Sequence, residues 1–523
     1  MKTITVYDTT LRDGTQGEGV SFSLQDKLDV AHRLDALGVS YIEAGYPVSN
    51  PKDEAVFAEL ARTPLKRAVP VAFGMTRRVG VKAEEDTTLR SLLAAETPAV
   101  ALVGKAWDFH VTKVLRADLD ENLAMVRDSV RLMKEAGREV FFDAEHYFDG
   151  YKANAEYALR VLRAALEAGA DWLVLCETNG GRLPEEVGDI TAAAVREVGG
   201  RLGIHGHNDS GLAVANSLAA VRAGCTQVQG TINGLGERCG NTDLCTLVPT
   251  LQLKMGLECL AGEDLALLTE VSRFVYETAN MLLAPGQPYV GPSAFAHKGG
   301  MHAAAVVRDR KTYEHVDPGL VGNTRRLLVS ELSGRGTILA KAAGTLFETD
   351  HALQQKALKE VQRLENLGYQ FEAAEASFAL LMRRLAGRLP AFFDLDHYSV
   401  AIKKDDARDA VTEATVKLRV KDAWHHTVAE GDGPVNALDG ALRKALVPVY
   451  PRLAEMSLTD YKVRVINSGA GTAARVRVVI ESRDPQEHWG TVGVSENIID
   501  ASWQALVDSL VYKLTKDEEK SHG

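Results

Sequence analysis

Residues 3–16 read TITVYDTTLRDGTQ, a run of alternating β-branched and apolar residues that breaks into polar ones. In an open, doubly wound sheet the turn after the first strand would carry G-x-G-x-x-G at the start of a helix. Here that place is taken by Thr9, Arg12, Asp13 and Gln16. Further strand-like runs follow the same plan: YIEAGY, VAFG, AVALVGK, EVFFDAEHY, WLVLCET, GIHGHND and QVQGTI. Between them, stretches such as SLQDKLDVAHRLDALG, DENLAMVRDSVRLMKEAG and NAEYALRVLRAALEAGA keep a helical period, and several end in Gly at the cap position. Strand-helix units of roughly 30 residues each predict a (β/α)8 TIM barrel over residues 1–265.

The polar residues gather where such a barrel carries chemistry, at the C-terminal strand ends. DTTLRDGTQ follows the first strand, Glu43 ends the second, DAEH the fifth, ETNGG the sixth, HGHND the seventh and NGLGERCGN the eighth. In a strand His205 and His207 point to the same side, so both imidazoles enter the mouth and share an ion. Asp13 is placed to add a carboxylate and Asn241 an amide oxygen. Two imidazoles, a carboxylate and open positions suit Zn²⁺, Mn²⁺ or Mg²⁺, although non-haem iron oxygenases use the same ligand types. Taken alone, H-x-H also occurs as two ordinary hydrogen-bonded core histidines. Arg12, next to Asp13, is placed to steady an oxygen that gains negative charge, or else forms a surface ion pair. Thr178 offers a hydroxyl to a carboxylate, or else caps a helix.

Composition narrows the function classes. With 523 residues the chain exceeds one ordinary domain, and 46% apolar with 25% charged residues is the balance of a globular protein. No apolar run is long enough to span a bilayer, and MKTITVYDTT enters a strand pattern in place of a signal sequence, so a cytoplasmic location without membrane contact is expected. The 5 cysteines include no C-x-x-C pair, which speaks against a thiolate zinc site. A net charge of -11 disfavours nucleic acid, so an anionic substrate must be met by local arginines or a cation.

Together DTTLRDGTQ, HGHND and GERCGN resemble the metal-dependent barrel family of 2-isopropylmalate, homocitrate and citramalate synthases. NPKDEAVF, FDAEHYFDGYKAN, LCETNGG, YVGPSAFAHKGGMH, YEHVDPGLVGN and the late WGTVGVSENIIDASWQALVDS are most similar to the citramalate synthase branch. The resemblance spans nearly the whole chain. It implies a Claisen-type condensation of acetyl-CoA, as co-substrate, with pyruvate and water, at the entry to isoleucine synthesis. It also implies metal ligands at Asp13, His205 and His207 with Asn241 nearby, and carbonyl polarisation by Arg12. Substrate binding falls to Arg12, Gln16 and Thr178, and deprotonation of the acetyl methyl to Glu145 with His302. A 2-isopropylmalate synthase taking 2-oxoisovalerate, or a metal-dependent pyruvate aldolase, are the alternatives. Two departures from the branch are the AGYPVSN segment, with Tyr46 and Val48, where Gly-Trp-Pro-Gly is usual, and Gly206 between the histidines.

Beyond the barrel, residues 266–390 are expected to form linker subdomains that cover the active site, rich in Gly and Pro at first and helical later. In relatives this region reaches the neighbouring subunit of a homodimer, so His302 would act in trans. Residues 391–523 alternate as half-exposed strands in HYSVAIKK, TEATVKLRV and RVRVVIES, with helices at VNALDGALRKALVPVY and ENIIDASWQALVDSLVYKL. The resemblance makes this α+β module a regulatory domain for an end-product amino acid, most plausibly isoleucine. Gly469 and Gly471 would bend a loop around the effector, or simply turn the chain in a dimerisation domain.

Overall fold

A computed structural model describes residues 2–298, 300–328, 350–405, 408–466 and 474–522. Gly469 and Gly471 lie outside the described residues. The chain forms two compact units, Met1–Phe295 with Val316–Arg325, and Ala296–His315 with Arg326–Gly523.

The first unit is a closed parallel barrel whose strands follow one another around the cylinder in chain order. They are β1 (Thr5–Asp8), β2 (Tyr41–Gly45), β3 (Val69–Met75), β4 (Ala99–Lys105), β5 (Glu139–Glu145), β6 (Trp172–Glu177), β7 (Leu202–Gly206) and β8 (Gln227–Gly230). β1 pairs with β8, Val6 opposite Val228 and Asp8 opposite Gly230, which leaves no free edge. Each strand leads to a helix: α1 (Leu24–Leu37), α2 (Pro51–Arg62), α3 (Thr87–Ala94), α4 (Leu119–Glu135), α5 (Ala155–Glu167), α6 (Pro184–Glu197), α7 (Ala213–Ala223) and α8 (Leu244–Met255). Short polar residues start several of them. Ser23 and Asp26 form a capping box, Asp86, Asp118, Asn154 and Asp243 cap by their side chains, and Gly38 ends α1 at φ 90°.

Strands buried on both faces explain the continuous apolar runs, of which WLVLCE in β6 is buried throughout. Outward residues such as Val6, Ile42, Leu102, Phe142, Leu175 and Val228 pack under the helices. Inward, Tyr7, Val71, Ala101, Phe141, Trp172 and Val174 form a separate core inside the cylinder. At the start of β5, Glu139 accepts hydrogen bonds from Tyr41 Oη and Trp172 Nε1. With the N-terminal end so filled, the open space lies at the C-terminal strand ends.

Residues 266–295, expected within the covering segment, pack with the barrel. Their helix α9 (Leu268–Thr278) contributes Val271 and Val275 to the barrel core, followed by Tyr289, Val290 and Phe295. His302, expected within the same covering segment, sits on helix α10 (Gly300–Arg308) of the second unit. That unit continues with α11 (His351–Asn366) and α12 (Glu375–Leu385).

It then runs twice through three antiparallel strands and a helix, the expected α+β module. The first pass is β9 (Asp394–Asp405), β10 (Arg408–Val420), β11 (Ala423–Gly431) and α13 (Pro434–Leu446). The second is β12 (Ser457–Val465), β13 (Val476–Arg483), β14 (His488–Ser495) and α14 (Ile498–His522). Val416, Leu438, Ile480 and Leu510 share one core between both passes.

A Cβ on Gly230, at the end of β8, would lie 2.4 Å from the Thr242 carbonyl oxygen, a backbone atom that cannot turn aside. Gly230→Ala should therefore destabilise the barrel by about 1–3 kcal/mol, read as a lower denaturant midpoint. Gly181→Ala, where a Cβ meets nothing within 4 Å, should leave that midpoint unchanged.

Candidate active site

The DTTLRDG turn is folded by its own side chains. Asp8 accepts hydrogen bonds from the Thr10 backbone N–H at 2.8 Å and from Thr10 Oγ1 at 3.0 Å, Thr10 Oγ1 accepts from Ile232 N–H at 2.8 Å, and Thr9 Oγ1 accepts from Asp13 N–H at 3.2 Å. This ties the turn after β1 to the turn after β8 and presents Arg12 and Asp13 to the mouth. β7 ends at Gly206, so His207 lies just past the strand; an antiparallel bridge to Asn241 holds its backbone in place. Both imidazoles consequently reach the same point, Nε2 to Nε2 at 3.4 Å.

Asp13 Oδ2 lies 3.4 Å from His205 Nε2, and the ligand atoms of Asp13, His205 and His207 all fall within 4.8 Å of one another. Asn241 donates its amide N–H to Asp13 Oδ1 at 3.0 Å, while its Oδ1 is buried without a hydrogen-bond partner. His205 Nδ1 faces Gln229 Oε1, an acceptor, at 2.9 Å; the tautomer that places its proton there is the one that offers Nε2 to an ion. Converging imidazole nitrogens, a carboxylate and an orphaned amide oxygen are the chemistry of a divalent-cation site, and the residues fit such an ion.

Charge is distributed to match. Burial opposes ionisation of Asp13, but Arg12 and His205 hold its carboxyl well below the usual range. Burial and the neighbouring His205 push His207 down to about 4, so it is neutral at physiological pH. Burial also works against the His205 imidazolium, yet Asp13 outweighs it and raises the pKa. Arg12 is clamped between Asp13 Oδ2 and Glu43 Oε2, each at 3.1 Å, with its guanidinium 4.0 Å above the Phe73 ring.

A cavity of about 320 Å³ opens beside this cluster. Arg12, Asp13, Gln16, Glu145, Thr178, His205 and His207 line it, and Phe73, Met75 and Val103 supply an apolar wall. Thr178 Oγ1 accepts the N–H of His146 at 2.9 Å, so the hydroxyl proton is left for another acceptor. Glu145 is paired with Lys105. His302, in the second unit, is exposed and stacks on Tyr313 at 4.0 Å between ring centroids.

Several cavity residues escaped the sequence reading. Lys105 ends β4 and Asp143 stands two residues before Glu145 and so on the same face of β5; behind the cavity wall, Gln229 on β8 meets His205. Inward strand parity was the available signal. Arg238, within the quoted GERCGN, grips both carboxylate oxygens of Asp209 at 2.7 and 2.9 Å and the Thr178 carbonyl at 2.7 Å. It stitches the turns after β6, β7 and β8 together, which only the fold reveals.

Residues 3–275 match the family model described as HMGL-like, residues 289–369 the homocitrate synthase post-HMGL domain-like model, and residues 372–514 the LeuA allosteric (dimerisation) domain. The barrel is thus that of an HMGL-like enzyme. The chain is 54% identical over 519 residues to (R)-citramalate synthase of Aquifex aeolicus, covering 98% of both chains. It is 52% identical to that of Geobacter sulfurreducens over 99% of both. Identity to 2-isopropylmalate synthase of Carboxydothermus hydrogenoformans is 30%, over 98% of this chain and 97% of that one. The chain belongs to the (R)-citramalate synthase family.

Removing a ligand should cost more affinity than the roughly 10–100-fold typical of an outer partner. His205→Ala and Asp13→Asn are expected to lose bound Mn²⁺ or Zn²⁺ in equilibrium dialysis, and retention of the ion by both would refute the site.

Proposed function

We propose that the chain condenses acetyl-CoA with pyruvate and water to (R)-citramalate and CoA. The observation that carries this reading is the 54% identity, over nearly the full length of both chains, to a curated (R)-citramalate synthase. The 30% identity to a 2-isopropylmalate synthase ranks the larger acceptor second. A divalent ion held by Asp13, His205 and His207, with Asn241 beside them, supplies Lewis acidity toward the keto oxygen when bound.

The remaining work falls to the chain's own groups. Arg12, fixed by Glu43 and Phe73, presents its guanidinium to the oxygen that becomes the alkoxide. Thr178 donates its hydroxyl to the oxo-acid carboxylate, and Gln16 lies on the rim of the same cavity. Glu145 with His302 is assigned to taking a proton from the acetyl methyl. The carbanion attacks C2 of pyruvate, the alkoxide takes up a proton, and water cleaves the thioester to release CoA as the free thiol. Lys105 pairs with Glu145 at the same end of the barrel and fixes where that carboxylate stands. The apolar wall of Phe73, Met75 and Val103 suits the methyl of a small acceptor.

Supporting the physiological part of the reading, the second unit matches the allosteric (dimerisation) domain model. In this proposal the enzyme is a homodimer, cytoplasmic, and inhibited by isoleucine. No helix among the described residues is long and apolar enough to cross a membrane.

The test is the release of thiol from acetyl-CoA with each of several 2-oxo acids, with and without isoleucine. Pyruvate should give the highest kcat/KM and isoleucine should lower the rate. Preference for 2-oxoisovalerate would transfer the chain to the second reading, and pyruvate turnover without thiol release would indicate an aldolase.

A further inference from the structure

The two histidines at the metal cluster are not held alike. His207 Nδ1 is buried with no hydrogen-bond partner, whereas His205 Nδ1 meets Gln229 Oε1 at 2.9 Å. Gln229 is fully buried on β8, inside the cylinder. A primary amide has an acceptor end and a donor end, and which one faces the imidazole decides the tautomer. With the oxygen toward His205, Nδ1 keeps its proton and Nε2 faces Asp13 and His207 with a lone pair. With the amide turned over, the NH₂ group would donate to Nδ1, the proton would move to Nε2, and the nitrogen facing the cluster would lose its ligand capacity.

What decides the orientation stands on the far side of the amide. Gln229 Nε2 lies 3.5 Å from Asp143 Oδ1, and Asp143 on β5 is 4% exposed. A carboxyl group accepts at that oxygen whether it is ionised or carries its proton on the other one. Turning the amide would set its carbonyl against the carboxyl oxygen. We propose that Asp143 and Gln229 are positioning residues for the metal ligand His205: Asp143 orients the Gln229 amide, and the amide fixes which imidazole nitrogen is offered to a divalent ion. Neither residue is assigned to holding the ion, and the inference does not depend on which 2-oxo acid the enzyme accepts.

The test uses the full-length, metal-free protein and reads Mn²⁺ and Zn²⁺ affinity by competition with a chromophoric chelator. Gln229→Met removes the acceptor at similar volume, and Asp143→Asn keeps the shape but frees the amide to turn. Each should weaken binding about 10–100-fold, while the denaturant midpoint of the metal-free protein shows that it is folded. The double change Asp143→Asn with Gln229→Glu returns an obligatory acceptor to His205 and a donor behind it, and should recover most of the loss. Wild-type affinity in folded Asp143→Asn, or a double variant no tighter than the weaker single one, would overturn the proposal. If Gln229→Met does not fold, the near-isosteric Asp143→Asn carries the test. Because the readout is ion affinity, its failure is distinguishable from a failure of the condensation assay.

Discussion

Three ligand groups crowded into one buried spot constrain everything else in the first unit. Asp13, His205 and His207 bring their donor atoms within 4.8 Å of one another, an arrangement that an apolar environment penalises unless a cation or hydrogen bonds compensate. The geometry follows from closure. In the cylinder β1 is hydrogen-bonded to β8 and β8 to β7, so the turns after β1 and β7 converge over the mouth. An open sheet with the same residues would not bring those ends together.

The charges around the cluster are paired in advance. Arg12 is matched by Asp13 and Glu43, Arg238 by Asp209, and Lys105 by Glu145. Such pairing holds each cation in a chosen direction without the free field of an unpaired charge. Under the proposed reaction the substrates are anionic although the chain carries a net charge of -11: Arg12, Lys105 and Arg238 line the cavity, each oriented by a neighbouring carboxylate. Arg12 illustrates the principle most directly, since two carboxylates and an aromatic face leave it little freedom to move.

Much of the fold was legible because barrel strands are buried on both sides and announce themselves as uninterrupted apolar runs, as in AVALVGK and WLVLCE. The helical periods between them, closed by Gly and opened by Ser, Asp or Asn, marked the remaining rhythm. His205 and His207 were accessible to sequence reading because strand parity predicts direction, and Asp13 and Asn241 because they follow the ends of the first and eighth strands; the bridge between His207 and Asn241 preserves the parity beyond the end of β7. For Asp143 and Gln229 parity gives the inward direction but not the partner, and Arg238 has no such signal, because their meaning lies in contacts across the cylinder or between turns distant in sequence. The second unit shows the same limit: β11 and β12 are largely exposed, so their apolar alternation is weak, and the doubled three-strand-and-helix plan emerges only from the pairing of strands.

The account rests on a single divalent ion shared between the two sides of the barrel mouth. Anomalous diffraction from crystals grown with Zn²⁺ or Mn²⁺ measures this directly. One strong peak is predicted at about 2.0–2.2 Å from His205 Nε2, His207 Nε2 and an Asp13 carboxylate oxygen. A peak elsewhere, or none at this cluster in crystals that contain the ion, would contradict it.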